Sequence, residues 1–255
     1  MPIEPRTVGV SVVIAARNEA ANIVPCIDSV RWAREIIVVE NDSTDRTPDL
    51  AMQAGAEVSR NPFVTIGSQR NAAIERASSE WILVVDADER GSADLGREIA
   101  GVVDGASNNG PTAFRIPRRN FFLGREVRHG GWNRDKPVRL FRSNLRYSAS
   151  RVHEHVETSG SVGELASSLL HAPYATIDQY FEKLDRYSSW WAQDRFEKGR
   201  TVSAGTVVVR PPLRFFSMYV LRGGFMDGAP GAVLACMAAT SVMAKYARLW
   251  AMGRR

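Results

Sequence analysis

The sequence predicts an α/β protein built on one parallel, doubly wound sheet, and three observations carry that prediction. Strand-length apolar runs alternate with helix-length segments from Val10 to Glu89. The runs are rich in Val and Ile without polar alternation, which is the pattern of strands covered on both faces. Three of them end in clustered polar residues, at the strand ends where such sheets bind ligands.

Val10 to Ala16 reads as the first strand, followed by Arg17-Asn18-Glu19 and an amphipathic helix to about Val30. Glu35 to Val39 is the second strand and ends at Glu40-Asn41-Asp42-Ser43-Thr44-Asp45. Ser43 is placed to cap a helix to about Ala54, which Gly55 stops. Ala56 to Ser59 makes a short third strand, and Gly67 to Ala77 a helix carrying Arg70 and Asn71. Trp81 to Val85 is the fourth strand and runs into Asp86-Ala87-Asp88-Glu89. If these strands are neighbours in one parallel sheet, the polar ends Arg17/Glu19, Glu40/Asp42/Asp45 and Asp86/Asp88/Glu89 share one rim.

Three carboxylates closing a buried strand serve no packing purpose, because an ionised carboxylate is costly to bury unless paired or metal-bound. On an extended tip Asp86 and Asp88 point to one side. That arrangement suits a hard divalent cation with positions left open for phosphate. The alternative is a strand leading into an acidic helix N-terminus capped by Ser92. Carboxylates at the first two strand ends could accept hydrogen bonds from a base or ribose; helix capping is the other use for Asp42 and Asp45. No Gly-x-Gly-x-x-Gly follows the first strand and no P-loop is present, which argues against dinucleotide and P-loop classes.

The net charge of +5 points to anionic partners, whether phosphate, nucleic acid or membrane surface, without choosing among them. Cys26 and Cys236 lie far apart in apolar segments and read as two buried thiols in a reducing compartment. The N-terminal residues lack a signal-peptide pattern. Gly228 to Ala244 comes nearest to a membrane span, being uncharged but short.

Four motifs stand in order: Ser11-Val12-Val13-Ile14-Ala15-Ala16-Arg17-Asn18-Glu19, then Ile37-Val38-Val39-Glu40-Asn41-Asp42-Ser43-Thr44-Asp45-Arg46-Thr47, then Gly67-Ser68-Gln69-Arg70-Asn71-Ala72-Ala73, then Val85-Asp86-Ala87-Asp88-Glu89. Their order, spacing and residue types resemble those of family 2 glycosyltransferases. The resemblance implies a glycosyltransferase A fold, with a single Rossmann-like nucleotide-sugar-binding sheet, a nucleoside-diphosphate sugar as donor and Mg²⁺ or Mn²⁺ as cofactor. It implies that Ala15, Arg17, Glu19, Glu40, Asp42 and Ala87 line the nucleotide-sugar pocket. It further implies that Arg70 approaches the diphosphate and that Asp86 and Asp88 form the metal-binding pair. Glu40 stands where the family usually has Asp, so uridine is expected as the base with selectivity open to change.

Further on, Arg118-Arg119-Asn120-Phe121-Phe122, His129-Gly130-Gly131-Trp132 and Val138-Arg139-Leu140-Phe141-Arg142 mix basic and aromatic residues. No nucleic-acid recognition signature accompanies them, so no nucleic-acid partner is expected. Aromatic faces stack on sugar rings and arginine forks grip phosphates. Trp132, Arg139 and Glu89 are thus candidate sugar or acceptor contacts, with a core position the alternative for Trp132. Arg151-Val152-His153-Glu154-His155 sets a carboxylate between imidazoles without the spacing of a zinc motif. A general base is the better reading, because an inverting glycosyl transfer must take a proton from the attacking hydroxyl. The Arg-Leu-Phe-Arg then Val-His-Glu arrangement resembles bacterial lipopolysaccharide-core glucosyltransferases. That resemblance makes Glu154 the base, with His153 the alternative.

Thr176 to Lys198 has helical periodicity with one aromatic face, suited to core packing or to a membrane interface. Thr206 to Arg210 reads as short and extended, ended by Pro211-Pro212, and Leu213 to Arg222 as amphipathic and basic. A small-residue apolar helix follows to about Trp250, with Lys245, Arg248, Arg254 and Arg255 near its end. The expected organisation is a catalytic domain over residues 1–172 and a helical region over 173–255 that meets a membrane or a second copy. The expected function is an inverting, metal-dependent hexosyltransferase using a UDP-sugar and a lipid-linked or cell-envelope glycan acceptor. It would act in the cytoplasm or at the inner face of the cytoplasmic membrane. A sugar-phosphate nucleotidylyltransferase wants a Gly-rich, Arg-containing loop after the first strand, where this chain has Ala15-Ala16-Arg17-Asn18-Glu19. A non-catalytic nucleotide-sugar-binding membrane module is the remaining alternative.

Overall fold

The computed structural model describes residues 7–107, 110–132, 135–148, 154–174 and 176–254. In chain order its elements are β1 (Val8–Ala16), α1 (Ile23–Ser29), β2 (Ala33–Glu40), α2 (Thr47–Gln53), β3 (Glu57–Arg60), α3 (Ile66–Ile74), β4 (Trp81–Val84), β5 (Glu89–Gly91), α4 (Ala93–Asp104), β6 (Ala113–Arg115), β7 (Arg118–Phe122) and β8 (Arg125–Val127). They continue with β9 (Val138–Arg142), β10 (Val162–Glu164), β11 (Leu169–His171), α5 (Ile177–Glu197), α6 (Ala204–Phe216) and α7 (Gly228–Met252). The chain forms two compact units, Met1–Arg118 with Lys136–His171 and Arg119–Asp135 with Ala172–Arg255.

The first unit is a seven-stranded sheet in the order β10-β6-β9-β4-β1-β2-β3. Strand β1 runs parallel to β2 and β4, and β2 parallel to β3. Strand β9 is antiparallel to both β4 and β6, so the sheet is mixed rather than wholly parallel as the sequence suggests. Side-chain period two divides the core. Val12, Ile14 and Leu83 face one side with Ile23 and Ile27 of α1 and Leu95 and Ile99 of α4. Val13, Ile82 and Val84 face the other with Ala73 and Ile74 of α3. Burying each such aliphatic side chain contributes about 1.5–3 kcal/mol, which explains why β1 and β4 carry no polar alternation.

Register fixes the rim. Ala16 lies opposite Glu40, and Val13 opposite Val84, so the carboxyl ends of β1, β2 and β4 are side by side, as the three polar clusters lead one to expect. Helix α2 starts later than the sequence suggests and does not use Ser43 as its cap. Asp45 instead accepts from the Thr47 N–H at 2.9 Å and from the Ala20 N–H at 3.1 Å. Helix α3 opens on Thr65, whose hydroxyl accepts from Ser68 N at 3.0 Å while Ser68 Oγ accepts from Thr65 N at 2.9 Å, a closed capping box.

In the second unit β7 and β8 form an antiparallel hairpin. Phe122 and Val127 pack with Tyr180 of α5, Met218, and Leu234, Ala235 and Met237 of α7. The Asp227 carboxylate accepts from the backbone N–H groups of Arg128 and His129 and pairs with His129 Nδ1 at 2.9 Å. Helix α6 runs straight through Pro211 and Pro212, where the sequence suggests an extended segment and a break. Two prolines remove two helical hydrogen bonds and cost about 3 kcal/mol each in a helix interior. No residue of α6 is buried, so water is at hand for the freed carbonyls. Cys26 is buried as expected, whereas Cys236 is exposed on α7, because that helix turns Leu234, Ala235 and Met237 inward instead. The stretch Gly224–Met252 has a mean hydropathy of 1.3 and is long and apolar enough to cross a membrane by length and composition only.

Candidate active site

The loops after β1 and β2 are stitched together. Asn18 and Asp42 both take positive φ, 56° and 47°, a conformation that short polar side chains tolerate. Asn18 Oδ1 accepts from Thr44 N at 2.8 Å, and the Glu19 N–H donates to Thr47 Oγ1 at 2.8 Å. Glu40 is buried and accepts from Ser43 N at 3.0 Å, and Arg60 pairs with Asp42. Arg17 is exposed on the same rim. Ala15, Arg17, Glu19, Glu40 and Asp42 therefore lie along adjacent strand ends.

The chain does not stay extended past β4. It turns over Ala87 and Asp88, with Glu89 N donating to Asp86 O at 2.8 Å and Asp86 N donating to Glu89 Oε2 at 2.8 Å. The turn sends the two aspartates to different surroundings, in place of the one-sided pair that an extended tip would give. Asp86 meets three guanidiniums: Arg70 at 2.6 Å on Oδ1, Arg118 at 3.1 Å on Oδ2, and Arg139 also on Oδ2. Burial pushes its carboxyl up, but Arg139, Arg70 and Arg118 together hold it well below the usual carboxylate range. Glu89 is fully buried and pairs with Arg118 at 2.5 Å and Arg139 at 3.3 Å. Neither Glu89 nor Arg139 offers surface to a sugar or acceptor; each carries a buried ionic cluster instead. Trp132 packs against the core of the second unit.

Arg70 connects this cluster to Glu154. Its second terminal nitrogen donates to Glu154 Oε1 at 3.1 Å, and its guanidinium stands 4.9 Å over the Tyr147 ring. The approach of α3 to this segment requires Gly67: a Cβ there would lie 2.8 Å from Ser148 O and 3.5 Å from Glu154 Cβ. Asn71 brackets Tyr147 from α3, accepting its N–H at 2.9 Å and donating to its carbonyl at 3.0 Å. His153, the alternative base, lies outside the described residues. The Nε atoms of Arg70 and Arg139 and the hydroxyl of Tyr147 are buried without a hydrogen-bond partner. Native interiors rarely leave such donors and acceptors unpaired, so a water, an ion or a ligand is the expected partner.

Asp88 faces His171, with Oδ1 3.8 Å from Nε2. The pairing of β11 with β5 sets this, since His171 lies opposite Glu89. Burial depresses the His171 pKa against the opposing pull of Asp88, which favours the neutral imidazole, the form that ligates metals. Two donors 3.8 Å apart can both touch one ion whose ligand distances are about 2.0–2.3 Å, so an Asp oxygen and a His nitrogen fit a divalent cation that takes its other ligands from substrate. Among the described residues no group of three or more His, Cys, Asp or Glu could enclose a metal by itself. Arg118 and His171 are the residues that sequence reasoning misses. Arg118 sits in a basic run read as a sugar contact, and His171 ends a three-residue strand too short to register as periodicity.

A mixed sheet with helices on both faces, its parallel strands β1, β2 and β4 ending in a rim of carboxylates and guanidiniums, is the architecture of a glycosyltransferase A fold. The chain belongs to glycosyl transferase family 2, whose family model matches residues 11–150. It is 29% identical over 252 residues to the lipopolysaccharide core biosynthesis glycosyltransferase LpsC of Rhizobium meliloti, covering 93% of each chain. It is 26% identical to the uncharacterized glycosyltransferase RP128 of Rickettsia prowazekii, covering 94% of this chain and 86% of that one. Among solved structures, mannosyl-3-phosphoglycerate synthase from Rubrobacter xylanophilus aligns at 25% identity with a TM-score of 0.38, over 44% of this chain and 40% of that chain. Glucosyl-3-phosphoglycerate synthase from Mycobacterium tuberculosis, in complex with Mn²⁺, UDP and glucosyl-3-phosphoglycerate, aligns at 23% identity with a TM-score of 0.35, over 44% of this chain and 43% of that one.

Proposed function

We propose that this glycosyltransferase moves a hexose, with inversion, from a nucleoside-diphosphate sugar to a lipid-linked or cell-envelope glycan acceptor. UDP is the favoured nucleotide and lipopolysaccharide-core assembly the favoured setting, at the cytoplasmic side of a membrane. The observation that carries the reading is the bridge from Asp86 through Arg70 to Glu154, which ties the acidic strand end to a carboxylate placed 84 positions from Arg70 in sequence. Ala15, Arg17, Glu19, Glu40, Asp42 and Ala87 bound the nucleotide-sugar pocket. Glu154 takes the proton from the acceptor hydroxyl as its oxygen attacks the anomeric carbon, while the bond to the diphosphate oxygen breaks and its electron pair leaves with the nucleoside diphosphate. Arg70 positions Glu154 and holds Asp86, and through Asp86 it is joined to Arg118 and Arg139. Asp88 and His171 are the residues placed to hold Mg²⁺ or Mn²⁺, and Asp86 stands behind them. When bound, the metal supplies positive charge to the departing diphosphate.

The family assignment at 29% identity to a lipopolysaccharide-core enzyme over 93% of both chains supports the acceptor class. The test is nucleoside diphosphate release from a panel of nucleotide sugars with Mg²⁺ or Mn²⁺, with and without a lipid-linked core oligosaccharide. Release that requires both donor and acceptor, and is lost on adding a chelator, is the expected result. Pyrophosphate release from a nucleoside triphosphate and a sugar phosphate would replace the reading with nucleotidyl transfer. Donor binding without turnover on any acceptor would replace it with a binding module.

A further inference from the structure

Helix α6 is amphipathic by sequence and yet buries none of its residues. Val208, Val209, Leu213, Phe216, Leu221 and Phe225 are each 50–71% exposed. A run of exposed large apolar side chains this long marks a binding surface. The charges beside it are of one sign. From Lys198 to Met226 the chain carries Lys198, Arg200, Arg210, Arg214 and Arg222 and no carboxylate, and α7 then adds Lys245 and Arg248; of these, Lys198 pairs with Asp194 and Arg248 with Asp185 of α5.

Between α6 and α7 lies a groove of about 720 Å³, lined by Arg210 and Arg214, by the hydroxyls of Ser203, Thr206 and Ser217, and by apolar Val209 and Leu213. Tyr246 pins Arg210 through a 2.6 Å hydrogen bond from the guanidinium to its hydroxyl. Arg214 and Lys245 have no ion-pair partner among the described residues. Burial and the neighbouring Arg222 depress the Arg214 pKa, and burial and Arg214 depress that of Lys245. Within the groove itself Arg210 and the half-buried Arg214 stand beside the hydroxyl-bearing Ser203, Thr206 and Ser217, a set of donors that suits an anion.

We infer that this face docks on an anionic lipid bilayer, with the α6–α7 groove holding the phosphate of a lipid headgroup and the Leu213, Phe216 and Leu221 side chains entering the acyl boundary. A second copy of the chain is the poorer occupant. An isologous contact would bring this cationic stretch against its own copy, and residues 198–226 contain no carboxylate to meet it. A bilayer carrying acidic lipids satisfies both halves of the surface at once. The inference deepens the proposed location at a membrane and rests on it, but it makes no use of the donor chemistry.

Vesicle co-sedimentation of the full chain tests it. Wild type should bind phosphatidylcholine vesicles containing phosphatidylglycerol and should bind pure phosphatidylcholine vesicles at least tenfold more weakly. Arg210→Ala/Arg214→Ala should lower partition onto the acidic vesicles at least tenfold, each basic contact being worth about fivefold. Leu213→Gln/Leu221→Gln should release the protein as well. Arg31→Ala/Arg97→Ala, an equal loss of charge at exposed positions of the first unit, should leave partition unchanged. Equal loss in that control would reduce the effect to net charge and overturn the groove. Unchanged partition of the α6 variants would overturn the face. Thermal stabilisation by millimolar inorganic phosphate, with no vesicle binding, would make the groove a site for free phosphate. Since nucleoside diphosphate release in vesicle-free solution is measured separately, failure here and failure of the catalytic reading are told apart.

Discussion

Arg139→Met tests whether the ionic cluster behind the acidic turn is structural. Arg139 is 3% exposed and touches both Asp86 and Glu89, and Glu89 is itself fully buried. The cluster balances three guanidiniums, Arg70, Arg118 and Arg139, against the carboxylates of Asp86, Glu89 and Glu154. Methionine keeps the bulk of the stem and deletes the charge, leaving an excess negative charge out of water. Breaking a buried pair in this way costs about 3–5 kcal/mol. Arg118 still reaches both carboxylates, at 3.1 and 2.5 Å, so the lower end applies. For a chain of this size about 3 kcal/mol corresponds to a melting point lowered by roughly 6–12 °C. The assay is thermal unfolding followed by circular dichroism, with Arg139→Met/Glu89→Gln as the second variant. Glutamine removes the charge that the mutation strands, so the double variant should melt higher than the sum of the two single losses, by about 0.5–3 kcal/mol of coupling. A melting point within 2 °C of wild type, or strict additivity in the double variant, would refute the reasoning; the 2 °C threshold is roughly the shift expected from 0.5–1 kcal/mol.

Four further outcomes are expected. Glu154→Gln should keep donor affinity and lose transfer by about 10²-fold or more, and near-full turnover would remove it from the base role. Asp88→Ala and His171→Ala should each weaken metal binding, read by titration calorimetry, at least about tenfold with the melting point preserved, whereas Asp86→Asn should lower the melting point. Ellman's reagent should titrate one thiol in the native chain, the exposed Cys236, and two in denaturant, since burial pushes the Cys26 thiol far up and keeps it protonated. Burial raises the Glu35 carboxyl, but hydrogen bonds from Ser11 and Ser78 outweigh it and lower its pKa below 4.5. Its contribution is therefore full above pH 4.5 and lost as pH falls through the folded value, so Glu35→Gln should cost about 1 kcal/mol at neutral pH and progressively less in acid.

The central strands are legible in the sequence because burial on both faces leaves runs of Val and Ile without polar alternation. Val10 to Ala16 and Trp81 to Val84 have no polar residue to spare except Ser11, and Ser11 is bound to Glu35. Strand direction is not in that signature, which is why the antiparallel course of β9 is visible only in the structure. Proline punctuation misleads at Pro211-Pro212, where α6 continues through both prolines despite the lost hydrogen bonds and the ring clash. The rim at β1, β2 and β4 follows from strand order and so is readable. The cage around Asp86 is not: its partners Arg118 and Arg139 lie 32 and 53 positions away, and no local pattern encodes that meeting.

The two aspartates of the acidic turn show how one motif divides its work. An Asp-x-Asp on an extended strand presents two equivalent carboxylates. Here Glu89 closes a tight turn onto Asp86, and equivalence is lost. Asp86 is driven into a set of guanidiniums that leaves both its oxygens occupied, while Asp88 is left against a neutral imidazole. A carboxylate already holding three cations has little left to offer a fourth. Asp86 is the residue whose loss should spread: Arg70, released from it, would no longer be held at the distance that keeps it on Glu154. Conservative replacement of Asp86 should therefore reach Glu154, the proposed base, through Arg70. Replacement of Asp88 should stay local to the proposed metal site.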